Sequence, residues 1–222
     1  MCVIAIMGNG PVDHLPNLKQ YENEIDVWIG VDRGALTLLE NDITVDYAVG
    51  DFDSITTKQK EMIIENMMNV VTYSSEKDET DLEIALQKAL ELKPEKIYLF
   101  GVTGGRLDHA LINIQLLLPL VTEEKIHGVI VDKSNQLELL TPGTYTLHKD
   151  EQYPYISFVP FTQYVKNLSL TGFYYGLTNY DLSWGSTRCI SNELMSKEAT
   201  FSFKSGKVLL IKSCDTDLET RP

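Results

Sequence analysis

The chain has 222 residues, of which 43% are hydrophobic and 23% are charged, so a packed globular protein is expected rather than a disordered one. Its formal net charge of −13 disfavours nonspecific binding to nucleic acid, which requires a basic surface. The three cysteines lack Cys-x-x-Cys spacing and no apolar run is long enough to span a membrane, so we expect a soluble cytoplasmic protein without disulfides, structural zinc or a membrane partner.

The first half of the chain alternates strand-like and helix-like segments. Strands are predicted at Cys2–Met7, Ile25–Val31, Tyr47–Val49, Val70–Tyr73, Ile97–Phe100 and Gly128–Val131. Helices are predicted at Leu36–Asn41, Thr57–Asn66, Asp81–Leu92 and from Arg106 to about Leu118. Because the apolar runs do not alternate with polar residues, both faces of these strands are expected to be buried under helices. We therefore predict an α/β domain over residues 1–132 with a mostly parallel, Rossmann-like sheet.

The pattern changes after about residue 125, where short segments without helical periodicity follow one another. Strands are predicted at Gln136–Leu140, Tyr155–Val159, Val165–Leu170, Thr200–Lys204 and Val208–Lys212. Turn signals such as Thr141-Pro142-Gly143 and Ser205-Gly206 separate these segments. An all-β sandwich over residues 133–222 is therefore predicted as a second domain.

Two carboxylates, Asp51 and Asp53, come directly after the third predicted strand. In an extended chain, residues i and i+2 point to the same side, so these acids would present their oxygens together. Carboxylate oxygens are hard ligands that suit Mg²⁺ rather than zinc. A solvated acidic turn explains an isolated Asp-x-Asp equally well, so the interpretation depends on the neighbouring loops.

Polar residues also follow the other predicted strands. They are Asp32 and Arg33 after the second strand, Asp78 and Asp81 after the fourth, and Gly104, Gly105, Arg106 and Asp108 after the fifth. Because ligands of parallel α/β sheets bind beyond the carboxyl ends of the strands, this clustering predicts a metal–phosphate site. Glycines before a helix let backbone N–H groups approach an anion, and an arginine can hold phosphate oxygens bidentately. A purely structural alternative remains for Asp81, which also fits the first turn of a helix capped by Thr80 and Glu83.

The helix after Arg106 has two distinct faces. Its apolar positions at helical spacing predict a face packed into the core; they are Leu107, Ala110, Leu111, Ile114, Leu117 and Leu118. His109 and Asn113 form a polar stripe on another face, in line with Arg106. The sequence contains no P-loop motif, and no Gly-x-Gly-x-x-Gly follows the first strand, which disfavours P-loop kinases and dinucleotide-binding dehydrogenases.

The second domain offers two candidate recognition segments. The aromatic run Phe173-Tyr174-Tyr175 would either stack on a flat heterocycle or belong to the core. The polar stretch from Ser186 to Glu193 would either form an edge strand or read the polar atoms of a ring.

Taken in order, these motifs resemble the thiamine pyrophosphokinase family across nearly the whole chain. The motifs are Val31-Asp32-Arg33-Gly34-Ala35, Gly50-Asp51-Phe52-Asp53-Ser54, Asp78-Glu79-Thr80-Asp81, Thr103-Gly104-Gly105-Arg106-Leu107-Asp108-His109 and Ser191-Asn192-Glu193. The resemblance implies an α/β catalytic domain that binds ATP and Mg²⁺, a thiamine-binding β-sandwich, and a homodimer with active sites between subunits. It also implies transfer of the diphosphoryl group of ATP to the hydroxyl of thiamine, giving thiamine diphosphate and AMP.

The resemblance assigns a role to individual residues. It implies metal binding by Asp51, Asp53 and Asp81, and catalytic roles for Asp53, Asp81, Arg106 and Asp108. It implies nucleotide binding by Asp32, Arg33, Lys77, Thr103, Gly104, Gly105, Arg106, His109 and Asn113. It implies thiamine binding by Tyr175, Ser191 and Asn192. Lys77 departs from the family pattern, because some members have Gln there, and either Asp53 or Asp81 would accept the hydroxyl proton.

Two alternatives to this function are considered. One is a diphosphokinase of the same fold acting on another alcohol, such as a pterin. The other is a regulator that binds thiamine or a nucleotide without catalysis. The number of acids in the loops argues against the regulator, because simple binding does not require so many candidate metal ligands.

Overall fold

The computed structural model describes residues 2–52, 56, 58–59, 61, 63, 70–72 and 79–215. The chain divides into two compact units, Met1–Lys133 and Ser134–Pro222. Within the part of the chain described, no helix is long and apolar enough to cross a membrane. Cys2, Cys189 and Cys214, all within the described residues, form no disulfide.

The first unit is built on a parallel sheet, as the sequence predicts. Its strands are β1 (Val3–Met7), β2 (Val27–Val31), β3 (Tyr47–Gly50), β4 (Val70–Thr72), β5 (Lys96–Phe100) and β6 (His127–Val131). They lie in the order β4-β3-β2-β1-β5-β6, and every adjacent pair is parallel. The strand order therefore reverses between β1 and β5. All five residues of β1 are buried, which agrees with an apolar run that does not alternate.

Helices connect these strands. They are α1 (Arg33–Glu40), α2 (Asp81–Glu91) and α3 (Leu107–Gln115), followed by a short helical turn at Leu117–Pro119 and a π-helical segment at Leu120–Glu124. Between β3 and β4, residues 58, 59, 61 and 63 are also helical, within the helix predicted there. The α1 helix begins three positions before its predicted start at Leu36, because the chain turns sharply at Asp32, where φ is 47°.

The predicted core face of α3 is wrong for Leu107 and Leu111. The side chains of Leu107 and Leu111 are 72% and 53% exposed, whereas Asn113, predicted on a polar stripe, is 8% exposed. The side-chain amide of Asn113 is therefore buried, whereas part of the apolar face of the helix is exposed to solvent. Helical periodicity identifies an apolar face but does not say what covers it.

A small charged cluster lies at the amino end of β5, opposite the polar loops. The Glu24 carboxylate accepts hydrogen bonds from Lys96 Nζ at 2.9 Å and from Tyr98 Oη at 2.8 Å. Burial alone would raise the pKa of Glu24, but the bonds from Lys96 and Tyr98 and the charge of Lys96 outweigh it and lower the pKa below its ordinary value. The ionised carboxylate is thus preferred in the folded protein.

Replacing Glu24 with Gln is expected to destabilise the protein near neutral pH and to have a smaller effect in acid. Because the folded-state pKa is the lower one, this carboxylate stabilises the fold above its unfolded-state pKa of about 4.3, and the stabilisation is lost as the pH falls through the folded-state pKa. Urea unfolding at about pH 7 and about pH 3.5 measures the difference. The exposed neighbour Glu22, changed to Gln, is the matched control, and an equal loss at both pH values would contradict the prediction.

From Ser134 to Asp215, the second unit contains β-strands and no helix, as predicted. One antiparallel sheet contains β7 (Asn135–Leu140), β13 (Val208–Ser213) and β9 (Tyr155–Pro160), with β13 in the middle. A second antiparallel sheet has the order β11 (Leu177–Ser183), β10 (Tyr164–Thr171), β12 (Glu198–Phe203) and β8 (Gly143–His148). The two sheets share one buried cluster, in which Phe158 of β9 meets Phe201 of β12 edge-to-face with ring centroids 4.9 Å apart. The strands β8 and β11 are not predicted from the sequence.

Candidate active site

A cavity of about 730 Å³ opens beyond the carboxyl ends of the parallel strands. It is lined by the loops that follow β1 and β5, so it lies where the strand order reverses, which is the ligand position of open α/β sheets. Its volume is in the range of small-molecule sites. Several predicted site residues line it: Asp32, Arg33, Asp81, Thr103, Gly105, Arg106, His109 and Asn113.

Other predicted residues lie elsewhere. Of the described residues, Asp51, Gly104 and Asp108 follow the same strand ends without lining the cavity. Asp53, Lys77 and Asp78 lie outside the described residues. The thiamine candidates Tyr175, Ser191 and Asn192 belong to the second unit.

The loop after β1 lines the cavity but was not predicted as part of the site. It runs from Gly8 to Val12 and packs against the loop after β5. The Gly10 N–H donates to Gly101 O at 2.6 Å, and a Cβ atom at residue 10 would lie only 2.6 Å from the same oxygen. Glycine is therefore required for the two backbones to approach this closely. The sequence feature that could have identified this loop is Gly8-Asn9-Gly10, which directly follows the first strand.

Two buried polar contacts hold the loop after β5 in place. The Asn113 side chain donates to Val102 O at 2.8 Å, and the Thr103 hydroxyl donates to Asp132 Oδ2 at 2.8 Å. Asn113 and Asp132 are both 8% exposed, so these bonds form away from bulk water. The inward turn of α3 thus fixes the backbone of Val102 and Thr103 at the cavity wall.

Arg106 and Asp108 form a bidentate ion pair at the start of α3. Arg106 Nε lies 3.1 Å from Asp108 Oδ1 and Arg106 Nη2 lies 2.5 Å from Asp108 Oδ2. The Arg106 hydrogen bond, with a second from the His109 N–H, lowers the pKa of Asp108 to about 2, and Asp108 raises the pKa of Arg106. Both groups are thus ionised at neutral pH. Asp108 holds the planar guanidinium in a fixed orientation at the cavity edge.

Asp81 is the first residue of α2, but the helix does not depend on it for its cap. Thr80 Oγ1 accepts the Glu83 N–H at 3.2 Å, as the capping interpretation predicts. The half-buried Asp81 lines the cavity in the first turn of the helix. Capping by Thr80 therefore leaves Asp81 able to serve a ligand.

The segment Gly50–Phe52 is not the extended chain assumed from the sequence. Phe52 has a φ of 56°, in the left-handed region, and its side chain is 3% exposed within the core of the first unit. The i, i+2 argument for placing two carboxylates side by side is therefore wrong for this segment. The turn occurs because Phe52 inserts its ring into the core and the Asp32 carboxylate accepts the Phe52 N–H at 3.3 Å.

The donor set around the cavity suits a hard cation. Asp32 and Asp81 both line the cavity, and carboxylate oxygens are ligands that bind Mg²⁺. Among the residues that the structure describes, no group of three His, Cys, Asp or Glu side chains is placed to hold a metal ion. The predicted trio contains Asp53, which lies outside those residues, so the trio remains a prediction.

In the second unit, Asn192 holds the backbone of Tyr175. Asn192 is 2% exposed, its Oδ1 accepts the Tyr175 N–H at 3.0 Å, and its Nδ2 donates to Tyr175 O at 2.9 Å. Ser191 has a φ of 53°, and its N–H donates to Ser157 Oγ at 2.9 Å. Of the predicted pair, Asn192 therefore positions an aromatic residue through its main chain.

The aromatic run divides between the two alternatives left open by the sequence. Phe173 is 3% exposed and belongs to the core, whereas Tyr174 and Tyr175 are 69% and 61% exposed. The two exposed rings meet edge-to-face with centroids 4.9 Å apart. Tyr175 is thus an exposed ring on a fixed backbone, which is suited to stacking.

The cavity and its surroundings define a class of protein: an α/β unit with a polar, glycine-walled cavity at its strand ends, joined to a β-sheet unit. Comparison with known proteins defines the family. Residues 18–130 match thiamin pyrophosphokinase, catalytic domain, and residues 144–208 match thiamin pyrophosphokinase, vitamin B1 binding domain. The chain belongs to the thiamin pyrophosphokinase family.

Individual relatives agree with this assignment over almost the entire chain. Thiamine pyrophosphokinase of Bacillus subtilis is 46% identical over 97% of this chain and 100% of its own length. A crystal structure of thiamine pyrophosphokinase from Bacillus subtilis, 44% identical, matches with a TM-score of 0.90 over 96% of this chain and 99% of the other. A thiamin pyrophosphokinase family protein from Enterococcus faecalis, 33% identical, matches with a TM-score of 0.85 over 97% and 100%.

Proposed function

We propose that this protein transfers the diphosphoryl group of ATP to the hydroxyl of thiamine, giving thiamine diphosphate and AMP. The observation that carries the proposal is the cavity at the strand-order reversal, which combines Asp32, Asp81 and Arg106 with glycine backbone. Membership of the family in both units supports the substrate pair. A Rossmann-like description of the first unit is also proposed, from the reversal between β1 and β5.

The proposed reaction requires placement and charge neutralisation. The hydroxyl oxygen of thiamine attacks the β-phosphorus of ATP, and the bond from that phosphorus to the oxygen of the α-phosphoryl group breaks. Arg106 and the backbone N–H groups of the glycine loops hold the phosphate oxygens in line, while Asp81 or Asp53 accepts the hydroxyl proton. Mg²⁺, which Asp51, Asp53 and Asp81 would hold, supplies neutralisation of the phosphate charge when it is bound.

The remaining assignments follow the same division of roles. Nucleotide binding is assigned to Asp32, Arg33, Lys77, Thr103, Gly104, Gly105, Arg106, His109 and Asn113. Since Asn113 and Thr103 are bonded to Val102 O and Asp132, we propose that they act by shaping the loop. The Tyr175 ring would stack on the cationic thiazolium of thiamine. We propose a reducing cytoplasm as the location, in keeping with three cysteines that form no disulfide.

Replacing Asn192 with Ala is expected to raise the KM for thiamine about tenfold and to change the KM for ATP by less than about twofold. The substitution removes both side-chain bonds that hold the Tyr175 backbone, so the ring loses its fixed position. Steady-state kinetics with each substrate varied in turn measures the split. The exposed Asn179, replaced by Ala, is the control, and equal losses for both substrates would contradict the proposed role.

The outward apolar face of α3 supports the proposal that the protein is a homodimer with active sites at the subunit interface. Leu107, Leu111 and Ile112 are 72%, 53% and 43% exposed, an arrangement typical of an interaction surface. The helix begins directly after Arg106, at the cavity edge. A second copy covering this face would therefore border the catalytic cavity.

Replacing Leu111 with Glu is expected to convert the dimer to a monomer, because the charge would be buried in an apolar interface. Light scattering after size-exclusion chromatography measures the mass, and circular dichroism checks that the fold is retained. Gln115, exposed on the same helix, provides the control when it is changed to Glu. A variant that stays dimeric, or a wild type that is monomeric, would refute this interface.

Analysis of the reaction products tests the function. Incubation with Mg²⁺, ATP and thiamine should yield AMP and thiamine diphosphate in equal amounts. Formation of ADP would exclude diphosphoryl transfer, turnover of a pterin alcohol in place of thiamine would favour the other diphosphokinase, and thiamine binding without any product would favour a regulator.

A further inference from the structure

Asp32 has an unusual backbone conformation and an unusual use of its side chain. With φ of 47° and ψ of −119°, it occupies the N-cap position of α1 but makes no side-chain capping bond to that helix. Its N–H donates to Val49 O at 2.9 Å, and its Oδ1 accepts the Phe52 N–H at 3.3 Å. A strained residue at a cavity edge, whose carboxylate reaches across to the neighbouring loop, suggests a defined task.

Gly50 provides the space for that carboxylate. A Cβ atom at residue 50 would lie 1.9 Å from Asp32 Oδ1 and 2.7 Å from Asp32 Cγ. Gly50 also has a φ of 147°, which side-chain-bearing residues rarely adopt. Any side chain at this position would therefore displace the Asp32 carboxylate from its hydrogen bond with Phe52.

Asp51 lies between these two fixed points. On one side is Gly50, packed against the Asp32 carboxylate, and on the other is Phe52, with its ring in the core and its N–H bonded to Asp32. Asp51 itself is half-buried. The backbone of Asp51 is thus held on both sides by contacts of its neighbours with Asp32 and the core.

We propose that Asp32 is a positioning residue that holds the Gly50–Phe52 turn and thereby places the Asp51 carboxylate for the divalent cation. The proposal rests on the proposed function for the identity of the ligand. The hydrogen bond from the Phe52 N–H to Asp32 and the close packing of Gly50 against Asp32 do not depend on that function. Groups that orient metal ligands in this way contribute about 10- to 100-fold to metal affinity.

Two variants of Asp32 separate positioning from direct coordination. Asp32→Asn keeps an oxygen that can accept the Phe52 N–H but removes the charge, whereas Asp32→Gly removes the acceptor and tolerates a φ of 47°. Mn²⁺ binding in the presence of a non-hydrolysable ATP analogue is measured by electron paramagnetic resonance. We expect at least about tenfold weaker binding for Asp32→Gly and a loss of no more than about threefold for Asp32→Asn.

Hydrogen exchange of the Phe52 amide provides a readout that needs no metal. Asp32→Gly should speed this exchange at least about tenfold, and Asp32→Asn should leave it close to the wild-type rate. Equal loss of Mn²⁺ binding in both Asp32 variants would show direct coordination and overturn the proposal. A Phe52 amide exchange rate in Asp32→Gly equal to that of the wild type would overturn the proposal as well. A wild type that binds no Mn²⁺ would refute the proposed function, and the exchange comparison would then decide the positioning role alone.

Gly50→Ala tests the steric half of the argument. It should weaken Mn²⁺ binding as Asp32→Gly does. The double variant with Asp32→Gly and Gly50→Ala should bind Mn²⁺ no more weakly than the single variant with the lower affinity, because both changes break the same contact. Gly185→Ala is the matched control: residue 185 also has a positive φ of 77°, but a Cβ atom there would meet nothing within 4 Å. Additive losses in the double variant, or weakened binding in the control, would contradict the proposal.

Discussion

Replacing Asp81 with Asn is expected to reduce the formation of thiamine diphosphate by at least about 100-fold, as losses of transition-state electrostatics do. The substitution preserves the shape of the side chain but removes the charge from the cavity wall, where Asp81 is proposed to hold Mg²⁺. Since Thr80 caps α2, the helix should remain folded. Turnover is measured by release of AMP over a range of Mg²⁺ concentrations.

The same measurement distinguishes this role from a structural one. If Asp81 served only the helix dipole, Asp81→Asn would lower stability by about 0.3–1 kcal/mol and leave turnover nearly intact. Glu83 lies in the same first turn, so Glu83→Gln is the matched control for the dipole. The catalytic role would be refuted if Asp81→Asn kept near-normal turnover and its free energy of unfolding fell by the same amount as that of Glu83→Gln.

Replacing Arg106 with Ala is expected to lower kcat by about 10²- to 10³-fold, because the group proposed to bind the phosphate oxygens is lost. Arg106→Lys keeps the charge but not the planar fork, so we expect an intermediate loss of about tenfold or more. Steady-state kinetics with ATP varied separates kcat from KM. A Lys variant with wild-type kcat would show that charge alone is sufficient at this position.

Substitution of Asp108 tests how much of the contribution of Arg106 to kcat depends on the orientation of its guanidinium. Its carboxylate, with a pKa lowered to about 2 by Arg106 and the His109 N–H, is unsuited to accept a proton at neutral pH. We therefore assign the catalytic contribution of Asp108 to holding the Arg106 guanidinium. In combination with Arg106→Ala, Asp108→Asn should add little further loss, whereas full additivity would indicate an independent role.

The parallel sheet could be predicted from the sequence because its strands are short, apolar and buried. Residues 3–7 of β1 are all buried, and such a run identifies a strand with helices on both sides. In the second unit the weaker signals failed. Six of the seven residues of β11 are exposed or half-buried, so no alternation marks that strand, and β8 begins at a glycine that the sequence suggested was part of a turn.

Parts of the candidate site depend on contacts that no local pattern encodes. Asp32 and Phe52 are 20 residues apart, and the hydrogen bond between them determines the conformation of the turn that carries Asp51. The loop after β1 becomes part of the site only because β1 and β5 are neighbours in the sheet. The sequence was sufficient to place polar loops at the strand ends. The backbone conformation of the Gly50–Phe52 turn and the packing of the loop after β1 against the loop after β5 could be known only from the three-dimensional structure.

The ring of Phe52 has a consequence for the evolution of this site. It packs in the same core as Ala48 and Ile63, while its N–H belongs to the turn beside Asp51. A substitution among these core residues that shifts the ring would move the neighbouring carboxylate without touching any ligand. Under the proposed metal role of Asp51, selection for cation affinity would also act on the apolar residues beneath the loop, and variation in the core of the first unit would be constrained by chemistry as well as by stability.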